Sequence, residues 1–216
     1  DRHVGQGTKT VSVSGLSVQD GNGGGNYRLT FIDNTSSTIT PATLRLDGAK
    51  ARDRRYDGST SVHIEGGTVS PLAGTSVTLV GQAQGAMADR HAGRGKAVSV
   101  SGLGLSGADA DDYVLEAASL TVDILPATLR VLGAEAQDKT EDGTTAAQVV
   151  GAALSPLLHT GDTVVLQDAQ VGSFAQSKAG TGIGVSTAMS LSGAEAGNYV
   201  LEQPQHLSAT IHALVT

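Results

Sequence analysis

Leu120-Thr121-Val122-Asp123-Ile124-Leu125-Pro126-Ala127-Thr128-Leu129-Arg130-Val131 reads as two strands that meet at a proline. Leu120, Val122 and Ile124 share one face and Thr121 and Asp123 the other, the period of two that marks a half-buried strand. Pro126 fixes φ and lacks an N–H, so it interrupts the ladder without needing a loop. Nearly the same words stand 85 residues earlier, at Ile39-Thr40-Pro41-Ala42-Thr43-Leu44-Arg45-Leu46, with Ala42, Leu44 and Leu46 on one face. A recurring strand-proline-strand element leaves almost no linker, so adjacent copies are expected to be stiffly coupled.

Working outward, the repetition covers the whole chain. Tyr27, Tyr113 and Tyr199 follow at intervals of 86, and Asp1-Arg2-His3 leading to Val11-Ser12-Val13-Ser14-Gly15-Leu16 returns as Asp89-Arg90-His91 leading to Val98-Ser99-Val100-Ser101-Gly102-Leu103. A fixed period marks an array of like modules. The copies fall at 1–40, which is the second half of a module, at 41–125 and at 126–213, with the phase of the structural units open by half a repeat. Short alternating runs at Val62-His63-Ile64, Ser76–Val80, Tyr113-Val114-Leu115, Gln148-Val149-Val150 and Tyr199-Val200-Leu201 are separated by glycine-rich turns. No segment keeps helical spacing over three turns. The expected fold is all-β, a tandem array of small antiparallel β-sandwich-like modules, immunoglobulin-like or β-grasp-like, of about 85 residues each. In the half module, the missing partner strands are expected to leave an open apolar face.

Composition narrows the functions. The chain has 216 residues, 29 glycines, 3% aromatics and no cysteine, with a formal net charge of -7. The negative balance offers no attraction to phosphate backbones or anionic lipid, which argues against nucleic acid. No run approaches the roughly 20 apolar residues of a membrane span. The absent cysteine suits either a cytosolic protein or an exported one that must avoid crosslinks.

The chain resembles the YDG-type repeats of large bacterial surface adhesins related to filamentous haemagglutinin, exported by two-partner secretion. The residues that carry the likeness are Tyr56-Asp57-Gly58-Ser59-Thr60, Gly93 to Lys96 before Val98–Leu103, Leu105-Ser106-Gly107-Ala108-Asp109-Ala110, Tyr113, and Ile124-Leu125-Pro126-Ala127. The following copy departs, with Glu141-Asp142-Gly143 in place of the tyrosine triplet and Val185-Ser186-Thr187-Ala188-Met189 in place of the Ser-Gly-Leu core. The resemblance implies an extracellular or cell-surface location, an outer-membrane transporter during export, and a role in cell adhesion, aggregation or biofilm formation.

Each motif also has a physical reading. Asp57-Gly58 and Asp142-Gly143 are turn signals. The phased tyrosines are expected to anchor the core, with Tyr113 as a corner residue whose hydroxyl bonds back to a loop. The loop Gly107-Ala108-Asp109-Ala110-Asp111-Asp112 offers the carboxylates of Asp109, Asp111 and Asp112, an oxygen set that calcium favours; a solvated turn is the competing reading, since calcium needs six or more converging oxygens. Asn34-Thr35-Ser36 is a glycosylation sequon, a triplet common enough to arise by chance. The six histidines stand singly, with His3 and His91 repeating inside Asp-Arg-His, a pattern that reads as repeat history. Gly102-Leu103-Gly104-Leu105-Ser106-Gly107 fits Gly-x-Gly-x-x-Gly but leads into an acidic loop instead of a helix, so it is not a phosphate cradle.

No catalytic or cofactor-binding constellation emerges, and no enzyme is expected. The reading is a stalk or repeat segment of a secreted or surface-anchored adhesin, its partner a host receptor, a polysaccharide or another bacterial surface molecule. The alternative is a carbohydrate-binding module for a matrix polysaccharide or host glycan, for which Tyr56 and Phe174 are the aromatics outside the repeated tyrosine phase and the strand-like Phe31.

Overall fold

Period-two alternation persists through the proline junction. The computed structural model describes residues 1–157 and 159–215. Strands Leu120–Leu125 and Ala127–Leu132 run to either side of Pro126. Val122, Ile124, Ala127, Leu129 and Val131 are buried, while their neighbours stay open. The fold is all-β: among the described residues no α-helix forms, and hence no helix long and apolar enough to cross a membrane. Among the described residues two single 3₁₀ turns stand between strands, Ala110–Asp112 and Ala196–Asn198, at the same phase of successive copies.

The chain divides into two compact units, each drawing segments from two consecutive sequence copies. The first comprises Asp1–Lys50, His63–Gly85 and Ser99–Leu120. In it Gly5–Val11 pairs antiparallel with Asn34–Ile39 in an irregular register. Ala42–Arg45 pairs in parallel with Tyr113–Glu116. Leu44, Val77 and Tyr113 form a buried cluster in it, with Val69 and Leu105 packed against them. Val11, Val13, Leu16 and Ile32 lie exposed, Val11 at 54% where its counterpart Val98 is at 5%. These apolar side chains are therefore open to solvent.

The second unit comprises Ala51–Val62, Ala86–Val98 and Thr121–Thr216. A six-stranded sheet runs in the order Glu135–Ala136, Ala146–Val150, Val171–Phe174, Gly180–Thr187, Ser208–His212, Lys139–Thr140. Val149, Phe174, Ile183, Val185, Met189 and Ile211 form its core together with Val131, Ala147 and Ala209. Apart from Phe174 and Met189, aliphatic and small side chains fill this layer, in keeping with the aromatic-poor composition.

Parallel ladders stand beside the antiparallel ones, and they recur with the repeat. Ala42–Arg45 with Tyr113–Glu116 has its counterpart in Ala127–Leu132 with Tyr199–Glu202. Arg54–Arg55 beside Ile124–Leu125 has its counterpart in Lys139–Thr140 beside Ile211–His212. A parallel pair needs a long crossover, and here the body of one copy supplies it. Thus the strand that opens a copy pairs with the strand that its tyrosine opens.

Bonds between side chain and backbone repeat in register as well. Asp53 Oδ1 accepts from Asp123 N at 2.8 Å, and Asp138 Oδ1 from Thr210 N at 2.6 Å. Arg54 reaches Asp57 at 2.6 Å and Ser59 O at 2.8 Å; Lys139 reaches Asp142 and Thr144 O, both at 2.8 Å. Lys139 first, then the Thr144 N–H, hold the Asp142 carboxyl at about 2. The ion pairs Arg45 to Glu116 and Arg130 to Glu202, both 2.8 Å, also repeat, but all four side chains lie largely in solvent. Exposed pairs contribute little. Arg130→Ala is expected to change unfolding free energy by less than about 0.5 kcal/mol in urea denaturation.

Candidate functional site

Two short motifs converge inside the second unit. Tyr56 begins the Tyr-Asp-Gly turn directly after the Arg54–Arg55 ladder, and its N–H donates to Leu125 O at 2.8 Å, which extends that ladder by one residue. Gly58 has φ +78, and a Cβ there would lie 2.5 Å from the His159 ring. Glycine is thus required twice, for its conformation and for the imidazole it abuts. The turn His159-Thr160-Gly161-Asp162 closes with Asp162 N donating to His159 O at 3.1 Å and carries Asp162 inward.

The side chain of Asp162 is fully buried and surrounded by donors. Tyr56 Oη donates at 2.8 Å and Tyr199 Oη at 2.6 Å, both to Oδ2. Arg90 Nη2 stands 2.9 Å from Oδ1, and His159 Nδ1 3.4 Å away. The tyrosine rings meet edge to face, centroids 5.4 Å apart. Burial by itself would raise the Asp162 pKa, but the hydroxyls of Tyr199 and Tyr56 and the Arg90 charge outweigh it, so the carboxyl stays below its usual value. Burial first, then the bond to Asp162, pushes the Tyr56 phenol up to about 12. The same two causes raise Tyr199.

That shift has a testable sign. A phenol whose folded pKa is raised contributes stability in full below its unfolded value near 10, and the contribution is lost as pH rises through about 12. Tyr56→Phe is expected to cost about 1.5–3 kcal/mol at neutral pH, for a hydrogen bond to a buried charge. In ultraviolet difference titration against wild type, the phenolate signal removed by this substitution should rise near pH 12, and a rise near 10 would contradict the geometry.

The Asp-Arg-His repeat completes the arrangement. Ala92 N donates to Asn198 Oδ1 at 2.9 Å, and Asn198 Nδ2 lies 3.2 Å from His91 Nδ1. In the first unit the same segment docks in the same way: Val4 N donates to Asp112 Oδ1 at 2.7 Å and His3 Nδ1 lies 2.7 Å from Asp112 Oδ2. Arg2 reaches Asp109 at 2.9 Å, because Thr75 stands where the second unit has Asp162. Lys9 with Asp1 and Lys96 with Asp89 brace the two segments. Each Asp-Arg-His segment therefore clasps the loop that precedes the tyrosine of the following copy.

The acidic loop acquires a definite role here. Asp109 and Asp112 come together with His3, one possible ligand atom of each lying within 4.8 Å of the others, while Asp111 is exposed and apart. The carboxylates already accept from protein donors. The Ser76 N–H foremost, then Arg2, lowers the Asp109 pKa, and the Val4 N–H, then His3, lowers that of Asp112. They act as acceptors for the preceding copy's segment. Asn34 lies exposed, its Oδ1 accepting from Ser36 N at 2.9 Å.

Of the phased tyrosines, Tyr113 and Tyr199 are buried and Tyr27 is exposed. The Tyr113 hydroxyl accepts from Leu72 N and bonds Thr75 Oγ1, both at 3.3 Å. It thus bonds to the 72–75 loop, and not to the acidic loop just before it. Tyr56 and Phe174, the candidate glycan platforms, are 1% and 2% exposed, so neither can stack a sugar. Gly102 and Gly107 serve close backbone approach: a Cβ would lie 2.3 Å from Gln82 O and 2.2 Å from Ser76 O.

Fold and clasp together define a tandem-repeat β protein whose repeated polar residues join one copy to the next. The chain belongs to the YDG domain family, which matches residues 40–121 and again 125–206. No curated protein matches the chain, and no solved structure does.

Proposed function

We propose that this chain is a repeat segment of a large secreted or surface-anchored bacterial adhesin, serving as a spacer or as an array of weak contacts. One observation carries the reading: the recurring Asp-Arg-His segment and the Asp112 or Asn198 it meets are spent on joining copies. A module whose invariants serve its own continuation gives reach and multiplicity. Membership of the YDG family and the absence of cysteine, which suits passage through a transporter, support the same reading. Its partner is then a host receptor, a polysaccharide or another bacterial surface molecule.

The test uses the parent protein in its own cells. Antibody raised against this segment should label intact cells, and external protease should remove the label. Deleting the segment should reduce adhesion or aggregation. Label that appears only after permeabilisation would overturn the proposal.

A further inference from the structure

The centre around Asp162 holds Tyr56 from a Tyr-Asp-Gly turn; the corresponding place in the first unit is a cavity of about 270 Å³. Its walls include Arg2, Ala42, Leu72, Thr75, Asp112 and Tyr113. These stand where the second unit has Arg90, Ala127, His159, Asp162, Asn198 and Tyr199. The bonds confirm the match. Thr75 N donates to Leu72 O at 3.2 Å, as Asp162 N does to His159 O at 3.1 Å. Ser76 N meets Asp109, and Thr163 N meets Glu195, each at 2.7 Å.

Size and chemistry both describe one phenol. The volume falls below the roughly 300–1,000 Å³ of sites for drug-sized ligands. Ala42, Leu72 and the Tyr113 ring form apolar walls, while the Thr75 hydroxyl and Arg2 supply the polar end, which suits an aromatic body with a hydroxyl tip. Thr40 also borders the cavity and stands at the phase of Leu125, whose carbonyl receives the Tyr56 N–H.

We propose that this cavity is a socket for the tyrosine of a Tyr-Asp-Gly turn carried by a further YDG copy. The incoming backbone lies parallel to Ile39-Thr40, as Arg54–Arg55 lies beside Ile124–Leu125. This is strand addition with one side-chain anchor. The adhesive role plays no part in the inference, which follows from the two corresponding places alone.

The probe is a fluorescein-labelled peptide with the sequence of residues 53–60, Asp-Arg-Arg-Tyr-Asp-Gly-Ser-Thr, titrated into the full chain. Saturable binding is expected, with amide shifts at Arg2, Thr75 and Tyr113 in nitrogen-edited NMR. A peptide with alanine for tyrosine should bind at least about tenfold more weakly, since the anchor is lost. Thr75→Asp, which restores the acceptor of the second unit, should tighten binding about tenfold through a charge-assisted hydrogen bond. Ala42→Leu, at an exposed position on the rim, should abolish binding and leave the spectrum otherwise folded. No saturation at millimolar peptide, equal binding of the alanine peptide, or shifts centred on Asp162 and Tyr199 would each overturn the proposal.

Discussion

Asp162→Ala is expected to destabilise the second unit by about 3–5 kcal/mol, the cost of removing one partner from a buried ion pair. The carboxylate is the common acceptor of Tyr56, Tyr199 and Arg90, and its side chain has no exposed surface. Its loss leaves two phenols without their acceptor and a guanidinium without its counter-charge. Arg90 is 24% exposed and can turn partly to water, which holds the cost within that range. Asp162→Thr copies Thr75, which accepts that role beside Tyr113 in the first unit, and should cost less than alanine. Adding Arg90→Ala to Asp162→Ala should cost less than the sum of the single changes, because the second removes a group already stranded. Urea denaturation followed by circular dichroism measures all three. Acid gives an independent reading. The folded pKa of Asp162 is depressed, so its contribution is complete above the unfolded value near 3.9 and is lost as pH falls through the folded value. The gap between wild type and Asp162→Asn should therefore narrow below about pH 4. Wild-type stability in the alanine variant would show that the centre is not a clasp.

The strands were legible because a half-buried strand writes its period into the chain. Val122, Ile124, Leu129 and Val149 are buried where alternation placed them. Parallel pairing was not legible: Ala42–Arg45 and Tyr113–Glu116 are joined by a whole copy, and no local signal marks a partner so distant. The centre was half legible. Asp-Arg-His and the tyrosines were visible as repeats, but the residue they converge on was not, since Thr75 occupies the place of Asp162 and self-comparison passes over a position that changes. Tyr56 read as an aromatic free to stack a glycan, and its burial depends on a strand pairing some 70 residues away, with Ile124–Leu125. The repeated Asp-Arg-His held the missing hint: charged residues kept in step with a loop of the next copy are candidates for contact with it. The acidic loop was legible as a set of acceptors, and its partners were not. Of its three carboxylates, Asp109 pairs with Arg2 and Asp112 with His3 of the same chain.

Gly81→Ala is expected to destabilise the first unit by about 2–5 kcal/mol, and Gly102→Ala by a similar amount. Two costs add at each position. Gly81 has φ +94 and Gly102 φ +80, conformations that cost a residue with a Cβ about 1–2 kcal/mol. The space is also taken: a Cβ on Gly81 would lie 2.1 Å from Gly102 O, and one on Gly102 would lie 2.3 Å from Gln82 O. These neighbours are backbone carbonyls, so relief requires the strands to separate, an overpacking cost of about 1–3 kcal/mol. Because each glycine faces the other's strand, the two substitutions act on one contact. The double variant should therefore cost less than the sum, as the first already opens the gap that the second needs. Gly95→Ala is the control for conformation alone: φ is +59 and nothing lies within 4 Å of its Cβ, so about 1–2 kcal/mol is expected. Thermal unfolding of the three single variants separates the terms. Equal losses at Gly81, Gly102 and Gly95 would mean that backbone conformation sets the cost and that close strand approach contributes nothing.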